Sequence, residues 1–269
     1  MRLPVNSFKH RLGKGERLFG LWSMSSSPVV AEAMGQVGFD FVVLDMEHAP
    51  TDGPRMLSSL QAIAGTPTPA LVRIPWNDAV VVKQLLDMGA QSVMFPYVQS
   101  ADEARRAVAS TRYPPAGFRG VAGMSRATRY GNVEDYFRRA AVELCVVVQL
   151  ETAAALSRLD EIATVDGIDS IFVGPNDLAA DMGHIGQTDH PQVKQAIAAA
   201  AARCRALGKP CGILAPDATV AGEYIGYGFT WVAAGSDLGL MMAGARGTLE
   251  AVRSTRGAAP GDRTVPGRV

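Results

Sequence analysis

Short apolar, β-branched runs recur along the chain, each followed by a turn signal and then by a segment with helical spacing. They occupy residues 18–24 (LFGLWSM), 39–47 (FDFVVLDME), 69–75 (PALVRIP) and 92–98 (SVMFPYV), and then 143–151 (ELCVVVQLE), 168–175 (IDSIFVGP), 210–216 (PCGILAP) and 231–237 (WVAAGSD). Their near-continuous hydrophobicity is that of strands covered on both faces, and alternation with helices implies a parallel sheet. Eight such units within 269 residues match a (β/α)8 TIM barrel in number and size. A doubly wound open sheet is the rival, but no GxGxxG follows the first strand. Ser27-Pro28, Asn77 and Ser100 stand where helix caps are expected.

No linker or composition shift divides the chain, so residues 1–253 read as one barrel domain. The tail 254–269, rich in Gly, Pro and Arg and without apolar periodicity, reads as disordered. The connection 113–136 is far longer than the roughly 4–6 residues usual between elements, which points to a functional or partner-contacting segment.

The balance of 26 basic against 26 acidic residues gives no basic field for nucleic acid or an anionic membrane. Three cysteines without metal spacing read as reduced, mostly buried thiols. With no apolar leader near the start and no uninterrupted apolar span of about 20 residues, a cytoplasmic protein is expected.

In such a barrel the chemistry gathers at the carboxyl ends of the strands. Strand 2 ends in Asp45-Met46-Glu47-His48, strand 3 carries Arg73, strand 5 ends in Gln149-Leu150-Glu151, strand 6 runs into Asn176-Asp177, and strand 8 ends in Ser236-Asp237. Glu151 and Asp177 end strands that should be neighbours, roughly 4.8 Å apart, so both carboxylates could reach one hard divalent cation such as Mg2+ or Mn2+. The alternative is that each caps its own helix. Arg73, among apolar neighbours, suits an anionic partner, either a substrate carboxylate or enolate or a buried pair with Asp45 or Glu47. His48 is the best candidate for a general base, and Asp87 could orient its imidazole from behind. None of the five lysines stands at the carboxyl end of a strand, which disfavours Schiff-base chemistry, and no GxSxG indicates a serine hydrolase.

The segments GLWSMSSSP, GFDFVVLDMEHAPTD, LVRIPWND, LLDMGAQSVMFPYVQ, GFRGVAG, VVQLET, IFVGPNDLA and AAGSDLGL resemble the HpcH/HpaI aldolases, the class II pyruvate-dependent aldolases. The resemblance spans about residues 19–240. It implies that Glu151 and Asp177 hold the metal (Mg2+ or Mn2+, with Co2+ a further option) and that no organic cofactor is needed. It also implies a pyruvate-binding surface formed by Gln149 with the backbone around Asn176 and Asp177, an enolate stabilised by Arg73, and a base, His48, made more basic by Asp87. The implied reaction is reversible cleavage of a 4-hydroxy-2-oxo acid to pyruvate and an aldehyde. Oxaloacetate decarboxylation and acyl-CoA lysis of the malyl or citramalyl type are alternatives on the same barrel. The resemblance further implies a homo-hexamer with a C-terminal helix exchanged between paired subunits. Met46 and Asn176 depart from residues common in the family. Specificity for the aldehyde is expected from Trp22, Ser23 and the 113–136 segment with Arg119, Arg126 and Arg129.

Overall fold

A computed structural model describes residues 1–257 and contains eight parallel strands that close into a barrel in sequence order. They are β1 (Leu18–Ser23), β2 (Phe41–Asp45), β3 (Ala70–Arg73), β4 (Ser92–Phe95), β5 (Cys145–Leu150), β6 (Ser170–Val173), β7 (Cys211–Ala215) and β8 (Trp231–Ser236). Every one falls inside a run that the sequence marks. The runs overshoot because their last residues have already left the ladder to form the mouth of the barrel.

Side chains along a strand alternate between faces. Leu18, Trp22, Phe41, Val43, Leu71, Met94, Cys145, Val147, Phe172 and Trp231 point inward and fill the barrel. The intervening Leu21, Val42, Leu44, Val72, Val93, Val146, Val148 and Ile171 face the helices. Room for the large inward rings comes from glycine. A Cβ at Gly20 would lie 2.4 Å from the Phe41 ring, and one at Gly212 would lie 2.0 Å from Trp231.

The end of the barrel at which the strands begin is plugged by helix Ser7–Gly13, a feature the sequence pattern does not announce. Its Phe8 lies 5.2 Å from Phe41 and 5.5 Å from Trp231, ring to ring, and its Leu12 joins the same cluster. Burial of side chains this large contributes about 1.5–3 kcal/mol each. Chemistry is thereby confined to the opposite end.

Helix caps follow the sequence closely. Ser27 and Ser100 accept from Val30 N and Glu103 N. At the third expected cap, the capping residue is Asp78 instead of Asn77: the Asp78 carboxylate accepts from Val80 N at 2.6 Å, while Asn77 donates to Glu103 O. All three cysteines are buried free thiols. Among the described residues no helix is long and apolar enough to cross a membrane.

Helix Asp237–Gly257 runs directly out of β8 and continues four residues past the expected domain boundary at 253. The remainder of the tail, 258–269, lies outside the described residues. From Leu238 to Ser254 every residue of this helix is exposed, so it stands away from the barrel instead of closing over it. The segment 113–136 also differs from expectation in its place. It connects the end of helix Ala101–Thr111 to helix Tyr136–Glu143, which leads into the start of β5, and so it belongs to the plugged end, not to the mouth. There Arg126 donates to Met88 O and Leu60 O, and Ala127 N donates to Asp87 O.

Candidate active site

The alternation that fills the barrel also selects its polar residues. The inward series Phe41, Val43 continues to Asp45, Leu71 continues to Arg73, and Cys145, Val147 continue to Gln149 and then Glu151. Residues of opposite parity on the same strands go to the helix interface.

Arg73 is the hub, with only 8% of its side chain exposed. Its Nε and Nη2 donate to the two oxygens of Asp45 at 2.9 and 2.6 Å, and its Nη1 lies 2.8 Å from Glu47 Oε2. Both partners that the sequence left as alternatives are therefore present. Trp22 lies beneath. Its indole faces the guanidinium at 4.7 Å, and its Nε1 donates to Asp45 Oδ2 at 3.2 Å. Trp22 is fully buried against Phe172, so it supports Arg73 from inside the barrel and does not line the mouth as expected. Burial pushes the pKa of Asp45 up, but the hydrogen bonds and charge of Arg73, with the Glu47 amide and the Trp22 indole, outweigh it and hold the carboxyl below its usual value.

Glu151 is buried where β5 ends. Tyr97 N donates to its Oε1 at 2.8 Å, and Gln149 Nε2 donates to its Oε2. Gly174, at the end of the adjacent β6, is required here, since a Cβ would lie 2.6 Å from Glu151 Oε2 and 3.2 Å from Gln149 Nε2. The other amide atom, Gln149 Oε1, is buried without a partner. Burial, with repulsion from Asp177 and Glu47, pushes the Glu151 carboxyl up to about 7 against the amides of Gln149 and Tyr97. Glu47 is raised in the same way by burial and by Asp45 and Asp177, against Arg73 and His48. Neither Glu151 nor Asp177 caps a helix. Thr152 caps Ala153–Ser157, and helix Pro175–Asp181 starts at Gly174 without a side-chain cap. Asp177 stands exposed in that first turn, beside the exposed Asn176.

Four carboxylates, Asp45, Glu47, Glu151 and Asp177, thus interact around a single guanidinium. Their excess negative charge and the unpartnered Gln149 Oε1 fit a hard divalent cation held by oxygen donors. Among the described residues no three His, Cys, Asp or Glu side chains are arranged to hold an ion by themselves, so an ion bound here would need solvent or substrate in its shell.

His48 is 58% exposed on the loop after β2, with its Nε2 3.9 Å from Glu47 Oε2. Asp87 is not with it. Asp87 closes helix Ala79–Asp87, which runs back along the outside of the barrel to the plugged end, and there it pairs with the wholly buried Arg119 at 2.9 Å. The expectation that Asp87 orients His48 therefore fails within one chain. The sequence reading also missed the Tyr97 amide, Gly174 and a clamp at the seam of the barrel. In that clamp Asp237 accepts from Ser23 Oγ, Met24 N and Ser25 N at 3.0, 2.9 and 3.1 Å. The GP pair at Gly174 carried a sequence signal, and Ser23 and Asp237 were marked as polar residues at strand ends, but nothing in the sequence joined them to each other.

A closed parallel barrel with acids, an arginine and an amide converging at its strand ends defines a barrel enzyme. The family model described as HpcH/HpaI aldolase/citrate lyase matches residues 18–243, and the chain belongs to that family. It is 47% identical over 244 residues to a pyruvate aldolase of Rhizobium etli, covering 91% of this chain and 96% of that one. It is 46% identical over 239 residues to a 5-keto-4-deoxy-D-glucarate aldolase of Salmonella arizonae, covering 89% and 93%. Among solved structures, an HpcH/HpaI aldolase/citrate lyase family protein from Burkholderia cenocepacia superposes with a TM-score of 0.90 at 39% identity, covering 93% of this chain and all of that one. The protein is a carbon–carbon lyase of the aldolase type.

Proposed function

We propose that the enzyme is a metal-dependent class II aldolase that reversibly cleaves a 4-hydroxy-2-oxo acid to pyruvate and an aldehyde. The carrying observation is the carboxylate excess around Arg73, with Glu151 buried and its pKa pushed up to about 7 by that burial and by the charges of Asp177 and Glu47. Glu151 and Asp177 would hold the divalent cation. Bound there, the ion supplies Lewis acidity to the carboxylate and keto oxygens of the 2-oxo acid.

The protein groups supply the rest. The buried amide of Gln149 and the backbone of the turn at Asn176 and Asp177 fix the 2-oxo acid. His48, whose Nε2 lies 3.9 Å from Glu47 Oε2, removes the proton from the 4-hydroxyl. As the C3–C4 bond breaks, negative charge passes to the pyruvate enolate, where the Arg73 guanidinium stabilises it. Asp45 and Trp22 keep that guanidinium in place, so little reorganisation is needed during the reaction.

Chelation should abolish cleavage and added Mn2+ should restore it, and borohydride with pyruvate should trap no adduct. A covalent pyruvate adduct on any lysine would overturn this reading.

The same proposal includes a homo-oligomer, a hexamer by resemblance, in which helix Asp237–Gly257 packs on a second copy. Support comes from the exposed Leu238, Leu240, Met241, Met242 and Leu249, more apolar surface than a solvated helix carries. Assembly is also the route by which Asp87 of one copy would reach His48 of another.

A further inference from the structure

Two large aromatic side chains stand in water at the rim of the mouth. Trp76 is 57% exposed on the loop after β3 and Tyr97 is 44% exposed on the loop after β4. Their ring centroids are 5.8 Å apart with the planes inclined by 27°. This surface forgoes burial in the core, although the chain buries its other two tryptophans, Trp22 and Trp231, completely.

The pair is tied to the reacting centre. Tyr97 adopts φ 54°, a left-handed conformation uncommon for a bulky side chain, and in it the Tyr97 amide donates to Glu151 at 2.8 Å. One residue therefore both fixes a carboxylate of the site and carries a ring at its edge. An open aromatic face at the rim of a site that stays in water matches a polyhydroxylated chain, whose C–H faces stack on rings while its hydroxyls keep their hydrogen bonds to solvent.

We propose that Trp76 and Tyr97 form the platform that binds the non-reacting end of the aldehyde, and that they select polyhydroxylated aldehydes of four or more carbons over two-carbon ones. The proposal rests on the aldolase reading above, and its test separates the two.

Aldol addition of pyruvate to erythrose and to glycolaldehyde is measured in the wild type, Trp76→Ala and Trp76→Phe. The ratio of kcat/KM for erythrose to that for glycolaldehyde should fall about tenfold in Trp76→Ala and recover in Trp76→Phe, which keeps a stacking face. An unchanged ratio overturns the platform. Acrylamide quenching supplies a readout independent of turnover, because Trp76 is the exposed tryptophan while Trp22 and Trp231 are buried. With pyruvate and Mn2+ present, erythrose should protect Trp76 and glycolaldehyde should not. If Trp76 is already shielded in the free enzyme, a second copy of the chain covers it and the platform is refuted. Protection by erythrose without any carbon–carbon bond formation would leave the platform standing and sink the aldolase reading.

Discussion

Arg73 and Asp45 form a two-point pair inside the barrel, each nitrogen of the fork meeting its own oxygen and both side chains almost wholly out of water. Removing one member leaves the other charge buried. Asp45→Ala should cost about 3–5 kcal/mol, read as a lower urea midpoint. An unchanged midpoint would mean that Glu47 alone satisfies the guanidinium.

The same pair gives a pH dependence of known sign. Asp45 is held below its ordinary value of 3.8 in the folded protein. Its contribution is therefore complete above 3.8 and is lost as pH falls through the lowered folded value. Denaturant midpoints of the wild type and Asp45→Asn should converge in strong acid, and a gap that persisted there would deny the ionic origin of the effect.

Gly174→Ala tests the packing around Glu151. Its new methyl would displace the carboxylate that Tyr97 N and Gln149 hold. Mn2+ affinity measured by calorimetry should fall at least tenfold, with a much smaller change in thermal midpoint. Full affinity would show that Glu151 does not ligate the ion.

The roles of His48 and Arg73 separate by reaction. Aldol cleavage needs a base for the 4-hydroxyl proton, whereas loss of CO2 from oxaloacetate needs only the electron sink. His48→Ala should lower cleavage by roughly 10²-fold and decarboxylation much less, while Arg73→Ala should harm both. Equal losses with the metal retained would move His48 from proton transfer to binding.

Complementation examines the distance between Asp87 and His48. His48→Ala and Asp87→Asn should each lower cleavage in a pure preparation. Co-refolded mixtures should regain activity, because some sites then pair an intact His48 with an intact Asp87 from another copy. Mixtures no better than their components would exclude a shared site.

The barrel was legible because nearly continuous apolar runs admit few other sheets, and the inward residues followed from strand parity. Asp45, Arg73, Gln149 and Glu151 all continue an inward series already begun by buried apolar residues. His48 lies one residue beyond such a series, so parity gives it no direction, and its exposure reflects that. Within one chain Asp87 lies away from His48 because a helix that returns along the barrel carries its last residue to the far end, a three-dimensional consequence invisible in one-dimensional spacing. The 113–136 segment was noticed for its length, but length does not reveal which end it occupies. Tyr97 went unremarked because its contribution is a backbone N–H, which every residue except proline possesses.

The clamp at Asp237 has a consequence for how the enzyme behaves in dilute solution. This residue opens the protruding helix while its carboxylate gathers the amides of Met24 and Ser25 on the first loop of the mouth. The proposed docking of that helix on another copy and ordering of the first loop would therefore share one hinge point. Linkage makes such a coupling reciprocal. Under the proposed assembly, substrate that settles the loop should tighten association, and dilution that frees the helix should loosen the loop. Specific activity should accordingly depend on protein concentration, and saturating substrate should shift that dependence toward lower concentration.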